Sequence, residues 1–367
     1  MFLEKGRISN FQLSVLIIGF VLGSSVIISP GGEGAGHDAW IACALGLMEG
    51  LLIAWIFTAL TKLFKDKTLI EINSLVYGKI LGNGISLLFI GYLFHLSALV
   101  LTNYGQFFKL QIYPATPKTL SLLLLMLVCA STVNRGIEVL ARCSLILVPI
   151  IILVVFTDTL LLIPHIDLNN LMPVLDAPIG KLLLASHGAA SFPFAETVAF
   201  LMVLAFVDKP EKGPAAVSRG LLIAGFILIM AVARNVAVLG QMAEITNYPT
   251  YLVAQVIDIG DILTRLHVLV AISLITMGFI KISVLFYGTV LGLAQVFNLR
   301  SYRPIILPVG ILMVILALTN VGNTQEMFDF VNKGYPIYAI PFQIGIPLIT
   351  LVVAKLRRLP QKGELDA

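Results

Sequence analysis

Between residues 40 and 57 the chain carries one charged side chain, Glu49, and nine other long stretches are similarly poor in charge. Runs this continuous leave little choice of fold. A bilayer core is about 30 Å thick, and a helix crosses it with about 20 mostly apolar residues while satisfying its backbone N–H and C=O groups internally. A transmembrane barrel would alternate apolar and polar residues, which these runs do not. Composition agrees: 58% of the 367 residues are hydrophobic and 12% charged, where soluble domains carry about 25% charge. A net charge of +4, without a clustered basic face, argues against a nucleic-acid partner. Cys43, Cys129 and Cys143 lie inside apolar runs and read as small buried hydrophobes, not as a disulfide or metal framework.

The chain therefore reads as one all-α integral membrane domain over 1–367. Ten transmembrane helices are expected near residues 11–30, 38–62, 82–108, 118–134, 138–163, 181–207, 215–241, 266–297, 303–320 and 336–356. Lys and Arg test that count, because they collect on the cytoplasmic side of a membrane protein. Alternating through the ten spans puts 17 of the 24 on one face and 5 on the other, leaving Arg234 and Lys281 inside spans. Both termini are thus expected in the cytoplasm. The run after Phe11 lacks a small-residue cleavage site and is expected to be the first span, not a removable signal. Residues 68–80 place Leu69, Ile72, Leu75 and Val76 on one helical face, and residues 250–262 do so with Leu252, Val253, Val256 and Ile257. Both segments read as amphipathic helices lying on the bundle, the first cytoplasmic and the second outer.

Ten spans divide into two halves of five, 11–163 and 181–356, and an odd number per half makes the second half enter from the opposite side. Such a 5+5 inverted repeat predicts an interrupted helix at the same place in each half, spans one and six. Both carry breakers: Gly19, Gly23, Ser24 and Ser25 in the first, and Ser191-Phe192-Pro193-Phe194-Ala195-Glu196 in the sixth. Pro193 removes a backbone donor, and freed backbone groups are tolerated at that depth where they line a cavity. Opposed helix ends offer N–H groups to a carboxylate and C=O groups to an ammonium, which fits a zwitterionic amino acid. Close packing competes with this reading, since Gly19/Gly23, Gly46/Gly50 and Gly288/Gly292 are all GxxxG pairs and such pairs need no ligand. Pro193 together with Glu196 favours the paired breaks, because a charged side chain at mid-depth costs about 2.5–3.5 kcal/mol unless paired, protonated or hydrated.

Glu49, His95, Asp158, Arg234 and Lys281 are the other ionisable groups placed inside spans. Lys281, mid-way along span eight, is an ammonium able to replace a coupling cation or to carry a proton. Arg234, beside Asn235 deep in span seven, calls for an acidic partner, and Glu196 is the first candidate. The five histidines show no metal-ligand spacing, and there is neither a phosphate-binding loop nor a nucleophile elbow. No metal, cofactor or enzymatic activity is expected, and the glycine cluster at residues 31–36 reads as a loop.

The run from Ser191 through Glu196 resembles the FPFGE signature of the spore-germination permease family, the B-type subunits of nutrient germinant receptors. Ala195 stands where that family usually has glycine. Ile8-Ser9 with Gln12, and Asp38-Ala39-Trp40, resemble it too. The resemblance implies a fold similar to the amino acid–polyamine–organocation transporters, the LeuT-like class. It also implies residence in the spore inner membrane and action with an A-type subunit and a lipoprotein C-type subunit. A ligand would then sit between Gly23, Ser24 and Ser25 on one side and Ser191, Phe192, Pro193, Phe194 and Glu196 on the other. Residues 250–262 would form an outer lid, and Lys281 would lie near the place where sodium-coupled relatives bind an ion. The expected function is nutrient sensing, with a neutral L-amino acid as first candidate. A proton-coupled amino acid transporter using Glu196 or Lys281, and a scaffold with a vestigial pocket, are the competing functions.

Overall fold

A computed structural model describes residues 3–25, 34–257, 266–320 and 322–360. Among them the chain is helical, and a single parallel bridge between Ile8 and Val207 is the extent of its β structure. The first half comprises α1 (Asn10–Ser25), α2 (Ala39–Leu63), α3 (Leu69–Tyr77), α4 (Lys79–Phe107), α5 (Lys118–Asn134) and α6 (Ile137–Leu161). Span six starts as α7 (Ile179–Ala189), and α8 (Gly213–Leu239), α9 (Met242–Ile245), α10 (Pro249–Val256), α11 (Leu266–Val296) and α12 (Ile306–Thr319) follow it. Span ten is assembled from α13 (Thr324–Asp329), α14 (Tyr335–Ile340) and α15 (Ile346–Leu356), joined by wide π turns.

Among the described residues, six of these spans are long and apolar enough to cross a membrane outright; Asn10–Gly23, Lys118–Asn134 and Arg303–Thr319 are shorter apolar helices, and with the interrupted span six they correspond to the ten expected runs. Span ten begins earlier than the expected residue 336, its first helix α13 starting at Thr324 and Pro336 falling in the first turn of α14. Proline fits the first turn of a helix, and here that turn continues an existing one. The surface helix α3 forms because Thr68 and Glu71 close a capping box, the Glu71 carboxylate accepting from Thr68 N–H at 2.8 Å. Gly78, at φ +81, turns the chain from α3 into α4 through a region that other residues avoid. The buried face of α10 is Tyr251, Val253 and Ala254, with Ile257 just beyond; Val256, expected on that face, is 38% exposed, and residues 258–262 lie outside the described segments.

At the centre, α1 and α11 are buried on nearly every side, as expected of helices apolar all round. Glycines let the surrounding helices approach. A Cβ on Gly46 would lie 2.7 Å from Ala189 Cβ, and one on Gly50 would overlap Phe194, so α2 packs directly on span six. A short strap before α1 closes one end of the bundle. Ile8 N–H donates to the Phe206 carbonyl at 2.9 Å, Asp208 N–H donates back to Ile8 at 3.0 Å, and Arg7 pairs with Asp66 at 2.8 Å.

Candidate functional site

Span six builds the site because it cannot stay helical. The residue before a proline is pushed out of the α region, and Phe192 is extended at φ −134, ψ 108. Past Pro193 the chain tightens into a 3-10 segment, Ala195–Met202, whose second residue is Glu196. That segment carries the carboxylate into the interior, where its residue is 0% exposed. The facing helix α11 brings Lys281, also 0% exposed, and the two form a buried ion pair.

The pair is surrounded by groups from three further spans, the third, the tenth and the first. The second Glu196 oxygen accepts from the Tyr335 hydroxyl at 2.7 Å, and the hydroxyls of Tyr335 and Tyr92 lie 3.0 Å apart. The Gln343 amide donates to the Tyr92 oxygen and to the Ser191 carbonyl, each at 2.9 Å. The Lys281 ammonium sits 4.8 Å from the Phe192 ring centre and 5.3 Å from that of Phe20, so aromatic faces add to the attraction. A buried charge is tolerated when paired and hydrogen-bonded, and both Glu196 oxygens are.

On the α1 side, glycine decides the approach. A Cβ on Gly23 would lie 2.6 Å from Lys281 Cβ and 2.8 Å from the Met277 carbonyl oxygen. The Tyr104 hydroxyl, with one proton to give, lies 2.5 Å from the Gly23 carbonyl and 2.6 Å from that of Leu274. Tyr104→Phe is expected to cost about 1–3 kcal/mol in thermal unfolding, the penalty for a buried polar group left unsatisfied. Tyr113→Phe, at an exposed position, is expected to change nothing.

Gly23, Ser191, Phe192, Glu196 and Lys281 thus come together. Gly19 packs elsewhere, its Cβ position lying 2.8 Å from Ile280 and 2.9 Å from Val148, and Phe194 fills the space left by Gly50. The side chains of Ser24 and Ser25 lie outside what is described, as do residues 26–33 that follow them. The expected pairing of Arg234 with Glu196 is wrong. Arg234 bonds Asp158 at 2.7 Å, Thr159 at 3.0 Å and Asn235 at 3.0 Å, and Asn235 reaches Thr250 of α10 at 2.9 Å. Spans five and seven run parallel, so Asp158 and Arg234, each near the C-terminal end of its helix, share a level, while Glu196 is taken by Lys281. His95 bonds the Tyr338 hydroxyl at 3.0 Å. Tyr92, Tyr104, Tyr335 and Gln343 were missed by a search for charge. Their signal was weaker: polar atoms on residues inside apolar runs.

The site is shut. Ser191, Phe192, Glu196, Lys281, Tyr92, Tyr335 and Gln343 are all buried, while two large cavities open at opposite ends of the bundle. One, of about 700 Å³, is lined by Glu4, Lys5, Arg7, Asp66 and Arg300; the other, of about 530 Å³, by His37, Asp176, Lys181 and Glu244.

The sequence profile of the spore permease family, described as spore germination protein, matches residues 7–324. Over 370 residues the chain is 33% identical to spore germination protein KB of Bacillus subtilis (strain 168), covering 99% of each. Among solved structures, MhsT in complex with L-phenylalanine matches with a TM-score of 0.72 at 14% identity, over 95% of this chain and 90% of that one. Mhp1, a nucleobase-cation-symport-1 family transporter in a closed conformation with bromovinylhydantoin bound, matches at 0.71 and 11% identity, over 98% and 82%. At such identities the structural likeness carries the fold alone, a LeuT-like helical bundle; span six is broken at Phe192, whereas α1 runs unbroken through the expected breakers Gly19 and Gly23 to Ser25, and residues 26–33 lie outside the described segments.

Proposed function

The chain belongs to the spore germination permease family, a membrane permease family and not an enzyme family, and on that premise we propose that it is the nutrient-sensing subunit of a germinant receptor. A small nutrient, with a neutral L-amino acid as first candidate, binds between spans one and six, at Gly23, Ser191, Phe192 and Glu196. The observation that carries this reading is that the groups such a ligand would use are already occupied by the protein. Tyr104 sits on the Gly23 carbonyl, Gln343 donates to the Ser191 carbonyl, and Lys281 pairs with Glu196. The closed state is therefore satisfied without ligand, and an entering ammonium and carboxylate would exchange for these internal partners. A ligand shifts such an equilibrium only by its differential affinity for the two states, and the exchange supplies that difference. The 17 to 5 distribution of basic residues supports cytoplasmic termini, and the family supports the spore inner membrane and partnership with A-type and C-type subunits.

A second reading, proton-coupled amino acid transport, is favoured by the same buried carboxylate and ammonium. Two measurements separate the readings. In a thermal-shift screen of the purified protein against amino acids, nucleosides and sugars, one class is expected to raise the melting temperature saturably, since binding to the folded state at 100 times Kd adds about 2.7 kcal/mol. Uptake of the same labelled compound into proteoliposomes is expected to be absent. Robust saturable flux would replace the sensor by a transporter, and no shift with any compound would remove the pocket.

A further inference from the structure

A second acid and base, Glu49 of α2 and His187 of α7, stand on the flank of the ligand site. Glu49 Oε1 and His187 Nδ1 are 2.7 Å apart. The other ring nitrogen, Nε2, lies 3.4 Å from the hydroxyl of Ser191, which is four residues further along span six and two before Pro193. Carboxylate, imidazole and hydroxyl thus form a chain that ends in the site, where the Ser191 carbonyl accepts from Gln343. Exposure falls along it: the Glu49 and His187 side chains keep 34% and 28% of their surface, and Ser191 keeps 2%. Of the elements packed on α7, α2 faces the ring with Glu49 and α14 with the Pro336 carbonyl. The α14 hydroxyls are engaged elsewhere, Tyr335 with Glu196 and Tyr338 with His95, and Lys181, the other charged residue of α7, lines the smaller end cavity.

These partners fix what Ser191 can bind. A carboxylate only accepts, so the neutral ring carries its proton on Nδ1 and leaves Nε2 an acceptor. Ser191 has one hydroxyl proton, and Nε2 is placed to accept it. The hydroxyl oxygen then has only lone pairs left, and together with the carbonyl it suits an ammonium and not a carboxylate. Protonating the ring reverses this polarity. Nε2 becomes a donor to Ser191 and the Pro336 carbonyl, and the ring gains a positive charge that repels an ammonium. We propose that His187, oriented by Glu49, is a specificity-determining positioning residue that makes Ser191 the receiver of the nutrient's ammonium group. The inference rests on the nutrient-sensing reading and narrows it to compounds bearing a protonated amine, which excludes sugars and neutral nucleosides. It also makes recognition depend on pH, tight with the ring neutral and weak with it charged.

The test is a thermal-shift titration of the purified full-length protein with the common amino acids. For the one giving the largest shift, the amine lacking its carboxyl group and the acid lacking its amino group are titrated as well. The half-saturating concentration of that amino acid is expected to rise about tenfold from about pH 8 to about pH 5, the range in which a histidine changes charge. The amine should follow the same profile, and the acid should give no shift. His187→Leu is expected to weaken binding about tenfold at the upper pH, by leaving the Ser191 hydroxyl without its acceptor. His187→Gln, whose amide can donate to Glu49 and accept from Ser191, should restore binding and flatten the profile. A pH effect arising in the Glu196–Lys281 pair would survive His187→Gln and overturn the assignment. So would unchanged binding in His187→Leu, a flat profile in the unsubstituted protein, binding that strengthens as pH falls, a shift by the acid alone, or a shift by a sugar or nucleoside in place of any amino acid. Each of these leaves the nutrient site standing. No shift with any of these compounds would remove the nutrient-sensing reading and this inference with it. Where His187→Leu folds poorly, the profiles of the unsubstituted and His187→Gln proteins decide the matter.

Discussion

Lys281→Met alone is expected to cost the folded protein about 3–5 kcal/mol, the usual penalty for leaving one member of a buried ion pair uncompensated. The carboxylate of Glu196 would keep its bond from Tyr335 but lose the ammonium, deep in a site with 0% exposure. Glu196→Gln alone should cost a comparable amount, since it removes the buried negative charge with which the Lys281 ammonium pairs. The double substitution is expected to recover most of the loss, because a buried pair replaced by groups of similar volume is often neutral. The amide oxygen introduced by Glu196→Gln could still accept from Tyr335, and the methionine would fill the channel that the lysine stem leaves. Thermal unfolding of the four proteins in one detergent gives the coupling directly. A near-neutral effect of Lys281→Met would show that the pair does not hold the closed site together, and the exchange argued for ligand entry would lose its basis. Nutrient response should be lost in all three variants, because each removes a group that the ligand must displace or engage.

Gly23→Ala should be the most damaging single methyl group in the protein's first span. Its Cβ would meet Lys281 Cβ at 2.6 Å and the Met277 carbonyl at 2.8 Å. The second of these is backbone, so it cannot rotate away, and α1 must separate from α11. Overpacking of this kind costs about 1–3 kcal/mol, but the functional loss should be larger. Separation pulls the Gly23 carbonyl from Tyr104 and shifts Lys281 relative to Glu196. The expected result is a properly inserted protein that shows no nutrient-induced thermal shift, with Gly23→Leu failing in the same way. Gly91→Ala provides the contrast, since nothing lies within 4 Å of the position its Cβ would take, and removing a mid-helix glycine gains up to about 1 kcal/mol. Retained nutrient response in Gly23→Ala would move the ligand site away from span one.

Much of this fold can be read from the chain. The ten apolar runs fall close to the ten spans, the capping box at Thr68 and Glu71 starts α3, and Pro193 with Phe192 before it opens span six. Each rests on chemistry local to the residues involved: transfer of apolar side chains into lipid, a side chain meeting its own helix end, a missing N–H. The site is another matter. Glu196 and Lys281 stand out as buried charges, yet the chain does not say that they pair, nor that Arg234 turns instead to Asp158. Tyr92, Tyr335 and Gln343, which complete the network, look like ordinary members of apolar runs. On α10 the periodicity was right in kind but rotated, so that Val256 faces outward.

The division has one physical cause. Hydropathy, charge asymmetry and backbone breakers act residue by residue, so they fix how many helices cross, in which order, and where one must open. Partners are chosen by how far each helix is rotated and how closely it approaches its neighbours. That depends on contacts between residues far apart in the chain, such as Gly23 against Met277 and Gly50 against Phe194. Glu196 meets Lys281 because those glycines let α1 and α2 close around the broken span, a condition that appears only once the helices are packed.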